Sequence, residues 1–337
     1  MNRVRCLPRV PQRSPLVSRR GITVTEILVT VATIGLLIAL ILPAVQNARE
    51  SSRRVSCRNN LRQVALAANQ FHAVHKKFPD HIFHLRSLLP YLDQQALYEE
   101  VSKKDYSCAN ALGAVPVLIC PTDPDADVAK NHTCYWINSG TYLTTRDPNG
   151  FFVGRMEQPF QLRGARADQV RDGLSNTVMY SERMTMPDVS YFRTAEQFES
   201  YSRKYEKRFI WFPKRTYYGG SIGGHLAREC QIAENRVTAF FPNPSFHRAF
   251  CPSSGIYNHV SGPNTFGCYR DGVDITPPPR VGSLRLGAAS VPATSAHAAG
   301  VHVSMGDGSV RFVSDSISHE IWQALGTVAG GEAIDSF

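Results

Sequence analysis

The chain lacks most of the spacings that mark the common catalytic sites. No HExxH, phosphate-binding loop or dinucleotide fingerprint occurs in its 337 residues, so zinc peptidase chemistry and nucleotide binding have no motif to carry them. The glycine-rich GGSIGGH at 219–225 has neither the lysine nor the strand-to-helix setting of a phosphate loop, and reads as a close-packed or flexible loop. Its eight cysteines include no CxxC pair, and their spacing does not suggest a zinc knuckle. No internal repeat is visible. Acidic residues are absent from residues 1–21, where Arg3, Arg5, Arg9, Arg13, Arg19 and Arg20 supply six of the +9 net charges. Without that segment the net charge is about +3. The basic balance is therefore mainly a targeting feature, and no nucleic-acid partner is expected.

What is present begins with ITVTEILVTVATIGLLIALILPAV at 22–45, whose only formal charge is Glu26. A helix of this length crosses a hydrocarbon core of about 30 Å. The run exceeds the 7–15 apolar residues of an ordinary secretory signal, and no small-x-small cleavage site followed by polar sequence stands after it. A carboxylate at the start of a membrane span needs a partner. The amino terminus exposed by cleavage after Gly21, on a neighbouring subunit, is one candidate. Pro43 is expected to kink the helix or mark where it leaves the membrane. A helical period continues to about residue 75, with Ala44, Ala48, Ser52, Val55, Leu61, Val64, Ala65, Ala68 and Phe71 on one face. Arg49, Arg53, Arg54, Arg58 and Arg62 lie mainly off that face.

The segment from Gly21 to Glu50 resembles the processing and methylation signal of type IV prepilins and type II secretion pseudopilins. The resemblance implies cleavage after Gly21 by a prepilin peptidase/methyltransferase, methylation of Ile22, and a requirement for Glu26 as fifth mature residue. Ile22 stands where Phe is usual, and Thr23 and Thr25 make the start more polar than typical.

Beyond Pro79 a shorter helical piece is expected over 85–102. From about 112 the pattern is short apolar runs between turn residues, predicting strands at 115–119, 133–138, 150–154, 177–182, 208–213, 236–241, 300–305 and 309–313. The loop-like stretches are 242–255 and 271–283. The fold class expected is α+β: a basic leader at 1–21, a pilin-like anchor helix at 22–78 with its membrane part at 22–45, and an exported, mainly antiparallel β domain with long loops at 79–337. In an exported domain disulfides are permitted. Cys251 with Cys268, or two of Cys108, Cys120 and Cys134, are local candidates, and buried free thiols are the alternative.

Several patches resemble the DUF1559 group of prepilin-like proteins abundant in planctomycete bacteria. They are CRNNLRQVALAANQFHAVHKKFP with Cys57, Asn59, Asn60 and Leu61, then LLPYLDQQALYE, then CPTDP at 120–124. RDGLSNTVMYSE follows with Asp172, Gly173, Ser175, Asn176, Thr177 and Glu182. His297, nine residues, then Asp307 and Gly308 match that group's carboxyl-terminal H-X9-DG motif.

These residues read first as structural. Asp307 and Gly308 suit a hairpin turn between 300–305 and 309–313, His297 and His302 suit hydrogen bonds to nearby backbone, and Asp172 and Asn176 suit turn formation. The sharper alternatives are a calcium site using Asp307 and Asp172, and a hydrolase in which Glu182, His297 and Asp307 converge. Trp136, Tyr142, Phe151, Phe152, Tyr217 and Tyr218 would line a ligand surface if exposed, and core positions otherwise. The expected function is a structural subunit or low-copy tip component of a pilus-like or pseudopilus-like assembly, not an enzyme, with no cofactor. Its expected partners are other pilin-like subunits through the helix and the lipid bilayer, in a single-pass cytoplasmic membrane location. A membrane-tethered module binding carbohydrate or protein is the alternative.

Overall fold

The computed structural model describes residues 23–80, 84–103, 115–124, 133–142, 149–153, 163–185, 200, 203, 206–213, 228–240, 255–269 and 289–332. Gly21, Ile22, Cys6, Cys108, Cys251, Tyr217, Tyr218, the 219–225 loop, the 271–283 stretch and all of 242–255 except Gly255 lie outside them.

Helix α1 runs Val24–His75 and continues through Pro43. Its start is a capping box: the Thr23 hydroxyl accepts from the Glu26 amide at 3.3 Å, and the Glu26 carboxylate accepts from the Thr23 amide at 2.8 Å. Its end is a left-handed Lys76 (φ 59°), whose amide reaches the His72 carbonyl at 2.8 Å. The chain divides into two compact units at Glu50 and Ser51. In the first, Ile27, Leu28, Val31, Leu37 and Leu40 are all more than half exposed. This stretch is long and apolar enough to cross a membrane, a property that membrane anchors and export signals share.

In the second unit, the last turns of α1 bury Cys57, Leu61, Val64, Ala65, Ala68 and Phe71. The expected face is right from Leu61 onward. Val55, placed on that face by period, is 48% exposed, and Cys57 takes the buried position one turn before Leu61. Helices α2 (His84–Leu88) and α3 (Gln95–Lys103) form the expected shorter piece.

The β elements are β1 (Tyr135–Asn138), β2 (Phe152–Val153), β3 (Arg163–Gly164), β4 (Val178–Glu182), β5 (Ile210–Pro213) and β6 (Arg236–Phe240). They continue with β7 (Ile256–Tyr257), β8 (Gly267–Tyr269), β9 (Ala289–Ser290), β10 (Gly300–Met305) and β11 (Val310–Ser314), before α4 (His319–Ala324). A five-stranded sheet has the order β11-β10-β4-β1-β7, a four-stranded sheet β6-β5-β8-β9, and β2 pairs with β3. The sheets are mixed rather than purely antiparallel, because β1 pairs β7 and β5 pairs β8 in parallel. Both exceptions join strands far apart in sequence, where a hairpin does not dictate direction. The expected strand at 115–119 is instead a 3₁₀ turn, Pro116–Leu118, since Pro116 has the fixed φ of a first helical position and no amide for a ladder.

Alternate residues of β1 face opposite cores: Tyr135 and Ile137 join the cluster under α1, while Trp136 joins Val301, Val303, Met305, Trp322 and Leu325 on the other side. Both faces of β4 and β10 are covered, and every residue of each strand is buried. Trp136 and Phe151 are therefore core residues in separate clusters, whereas Tyr142, the third of the six ligand-surface candidates with a described side chain, is exposed.

Candidate functional site

The polar centre of the domain lies where β4 ends beside β10. Glu182 is the last residue of β4, and β10 runs antiparallel to it with Val303 opposite Ser181. The His302 amide donates to Glu182 Oε2 at 2.9 Å, and His302 Nδ1 lies 3.1 Å from Oε1. His297, in the approach to β10, brings Nε2 to 3.5 Å from the same Oε1. The three side chains are 1–4% exposed. Burial alone pushes the Glu182 carboxyl up, but hydrogen bonds and charge from His297 and His302 outweigh it and hold the group at about 2.

The disulfide Cys57–Cys120 closes the site on the side of α1, with Cys120 Sγ 3.7 Å from His297 Nε2. This pairing corrects the local one expected for Cys120, whose partner lies 63 residues away on α1. Cys268 likewise bonds Cys230 rather than Cys251, and Cys134 is a buried free thiol. Burial pushes the Cys134 thiol well up, with the charge of Asp123 adding to it. Asp123, in the CPTDP turn, is 5% exposed and accepts from Arg208 at 2.8 Å and from the Thr185 amide and hydroxyl at 2.5 and 2.8 Å. A second ionic knot is thus packed next to the first.

The remaining expected residues have structural geometry. Asp307 caps the β10–β11 turn by accepting from the Ser309 amide at 2.8 Å, and Gly308 has φ 88°. The turn is held on α1, where Asn69 donates to the Gly306 carbonyl at 3.1 Å. The H-X9-DG motif therefore touches α1 territory at both ends: His297 beside the Cys57 disulfide, and the Asp-Gly turn beside Asn69. Glu182 and His297 converge as the hydrolase reading required. Asp307 does not join them, since it lies in the turn beyond the far end of β10 and is not in the group of close donor atoms that holds Glu182 and His297.

Asp172 receives the Gly330 and Gly331 amides at 2.7 and 2.9 Å, so its oxygens hold the chain's carboxyl-terminal segment. Gly173 turns with φ 92°, and Asn176 donates to the Asp172 carbonyl at 3.2 Å. Among the described residues, Asp172 and Asp307 belong to no group of three or more donors close enough to share an ion.

Glu26 has its carboxylate bonded to Thr23 within its own chain. The T-x-x-E spacing was available in the sequence, and it explains both the polar Thr23 and the acid three residues later. Cys57, Asp123 and Arg208 were not singled out as site residues. Cys57 and Asp123 were marked only as members of the CRNN and CPTDP patches, and Arg208 had no signal.

A family model described as "Protein of unknown function (DUF1559)" matches residues 46–320. No curated protein matches the chain, and no solved structure does.

Proposed function

We propose, from the premise that this chain belongs to the DUF1559 family of proteins of unknown function, that it is an exported, membrane-anchored structural subunit or low-copy tip component of a pilus-like or pseudopilus-like assembly. The observation that carries the reading is α1: its amino-terminal stretch is apolar and exposed with Glu26 in the first turn, while its carboxyl-terminal turns are built into the core of a folded domain. A signal that is removed gains nothing from such a continuation, whereas an assembling helix needs both halves. The family match begins at residue 46, so the anchor reading rests on the segment before it.

In this reading the basic leader is cut after Gly21 by a prepilin peptidase/methyltransferase. The Ile22 amine then becomes available to the Glu26 carboxylate of a neighbouring copy, in competition with the Thr23 amide. Salt-bridging in hydrocarbon sets the axial register of packed helices.

The test is the mass and sequence of the amino terminus in native membranes, together with Glu26→Ala. A start at Ile22, with or without a methyl group, and a variant that stays in the membrane but no longer cross-links to pilin-like subunits are the expected results. A start at Met1 would leave a signal-anchored protein. A start after Ala44 would make the helix an export signal and sink the proposal.

The tethered binding module has one observation in its favour. A cavity of about 340 Å³ is lined by Tyr142, Asn149, Gln323, Thr327 and Glu332, an exposed aromatic ring among amide and carboxylate groups. Normal activity of Glu26→Ala in the cell, with loss of it in Tyr142→Ala, would favour this module over assembly.

A further inference from the structure

Cys57, Cys120, Glu182 and His297 each present one donor atom, and the four atoms lie within 4.8 Å of one another, all on buried residues. They come from α1, the CPTDP turn, the end of β4 and the approach to β10, so the fold itself assembles them. In the structure the two sulfurs are bonded to each other. A disulfide sulfur is a poor ligand, and the thiolate is the form that binds metals.

We propose that this cluster is a redox-gated site for a thiophilic divalent cation of the zinc class, closed by the disulfide when oxidised and able to take the ion when reduced. The reductant is a dithiol: two electrons and two protons pass to the Cys57–Cys120 bond, which breaks to two thiols, while the dithiol closes to its own disulfide. Cation binding then releases the two thiol protons to solvent. Two thiolates, His297 Nε2 and a Glu182 oxygen make a four-donor sulfur, nitrogen and oxygen set, which suits tetrahedral zinc.

His302 is the positioning residue. Its amide and Nδ1 hold the two Glu182 oxygens at 2.9 and 3.1 Å, orienting the carboxylate whether or not an ion is present. Burial on all sides gives the closed setting of a structural metal site. In either state α1 stays cross-linked to the CPTDP turn, through sulfur–sulfur or through the ion. Both links tie the same two segments, so the exchange needs no rearrangement of the sheet.

The experiment uses the full chain in detergent, reduced with a dithiol that is then removed without oxygen, and titrated with Co²⁺. One cobalt per chain with thiolate-to-cobalt charge-transfer absorption, bleached by Zn²⁺ and missing from the oxidised protein, is expected. Cys134→Ser should keep the signal, Cys57→Ser should lose it, and His302→Ala should weaken binding about 10- to 100-fold. An undiminished band in Cys57→Ser would overturn the proposal by assigning the thiolates elsewhere. Because a cysteine variant can fail to fold, Glu182→Gln supplies a second test: its fold is checked by circular dichroism while oxidised, and unchanged cobalt affinity after reduction would also overturn it. Unfolding of the reduced protein in the presence of zinc would do the same.

Discussion

His259 sits between two partners that fix a single neutral form. Its Nδ1–H donates to the Trp322 carbonyl at 2.6 Å, and the Tyr257 hydroxyl donates to Nε2 at 3.0 Å, while the ring stacks on Trp322 at 4.0 Å. Burial lowers its pKa to about 3, against a smaller upward pull from the Trp322 carbonyl. An unfolded chain takes up this proton near 6.5 and the native one only near 3, so the protonation linkage removes stability as pH falls between those values. Glu182, held at about 2 against an ordinary 4.5, removes stability as pH falls through the lower window. Denaturant unfolding measured at a series of pH values should lose about 3 kcal/mol from the His259 linkage by pH 4.5. In His259→Gln the decline between 6.5 and 4.5 should flatten while the lower limb remains. An unchanged upper limb in that variant would show that another group is responsible.

Two elements bear on how the domain is tied to α1. The Cys57–Cys120 disulfide closes a 63-residue separation, which corresponds to about 4 kcal/mol in the chain-entropy account. Replacing both cysteines by serine should lower the denaturation midpoint accordingly, and peptide mapping without reduction should recover Cys57 with Cys120 and Cys230 with Cys268. The β10–β11 hairpin gives a contrast between two glycines. At Gly308, φ 88° disfavours a side chain but the nearest atom to an added Cβ is 3.4 Å away. At Gly300 the added Cβ would overlap the Val313 carbonyl oxygen and come within 2.7 Å of the Phe312 ring. Gly308→Ala should cost about 1 kcal/mol, and Gly300→Ala roughly 2–3 kcal/mol, as read by thermal unfolding.

The same elements show what was legible in the chain. The long helix, β4 and the β10–β11 hairpin were readable because apolar period and Asp-Gly turn chemistry are local signals. The two-residue strands β3, β7 and β9 carry no period, and the parallel partners β7 and β8 are set by tertiary packing. Glu182 and His297 were marked individually, but their meeting depends on β10 lying beside β4, which no local pattern encodes. Cysteine pairing failed for the same reason: proximity in sequence favoured Cys251, while tertiary packing brings Cys230, from the segment before β6, onto Cys268 of β8.

At the scale of the whole molecule, the division at Glu50 and Ser51 separates an apolar helical stretch from a unit that holds both disulfides and both hydrophobic clusters. A chain comprising residues 51–337 should therefore fold and stay in solution without detergent. Its unfolding midpoint should match that of the domain in the full-length protein, compared by circular dichroism. A marked drop in the midpoint would mean that residues 1–50 contribute to the domain's core after all.

The covalent bridge from α1 to the CPTDP turn also decides where tension goes. A pull applied at the amino-terminal end of α1 travels along the backbone to Cys57 and crosses the sulfur bond to Cys120, by-passing the chain between them. Leu61, Phe71, α2 and α3 then belong to a slack loop that carries no load. A similar shortcut from Cys230 to Cys268 leaves β6 and β7 slack as well. A subunit drawn out of a membrane by its helix would thus keep its inner packing at forces that would unravel the same fold with its thiols free.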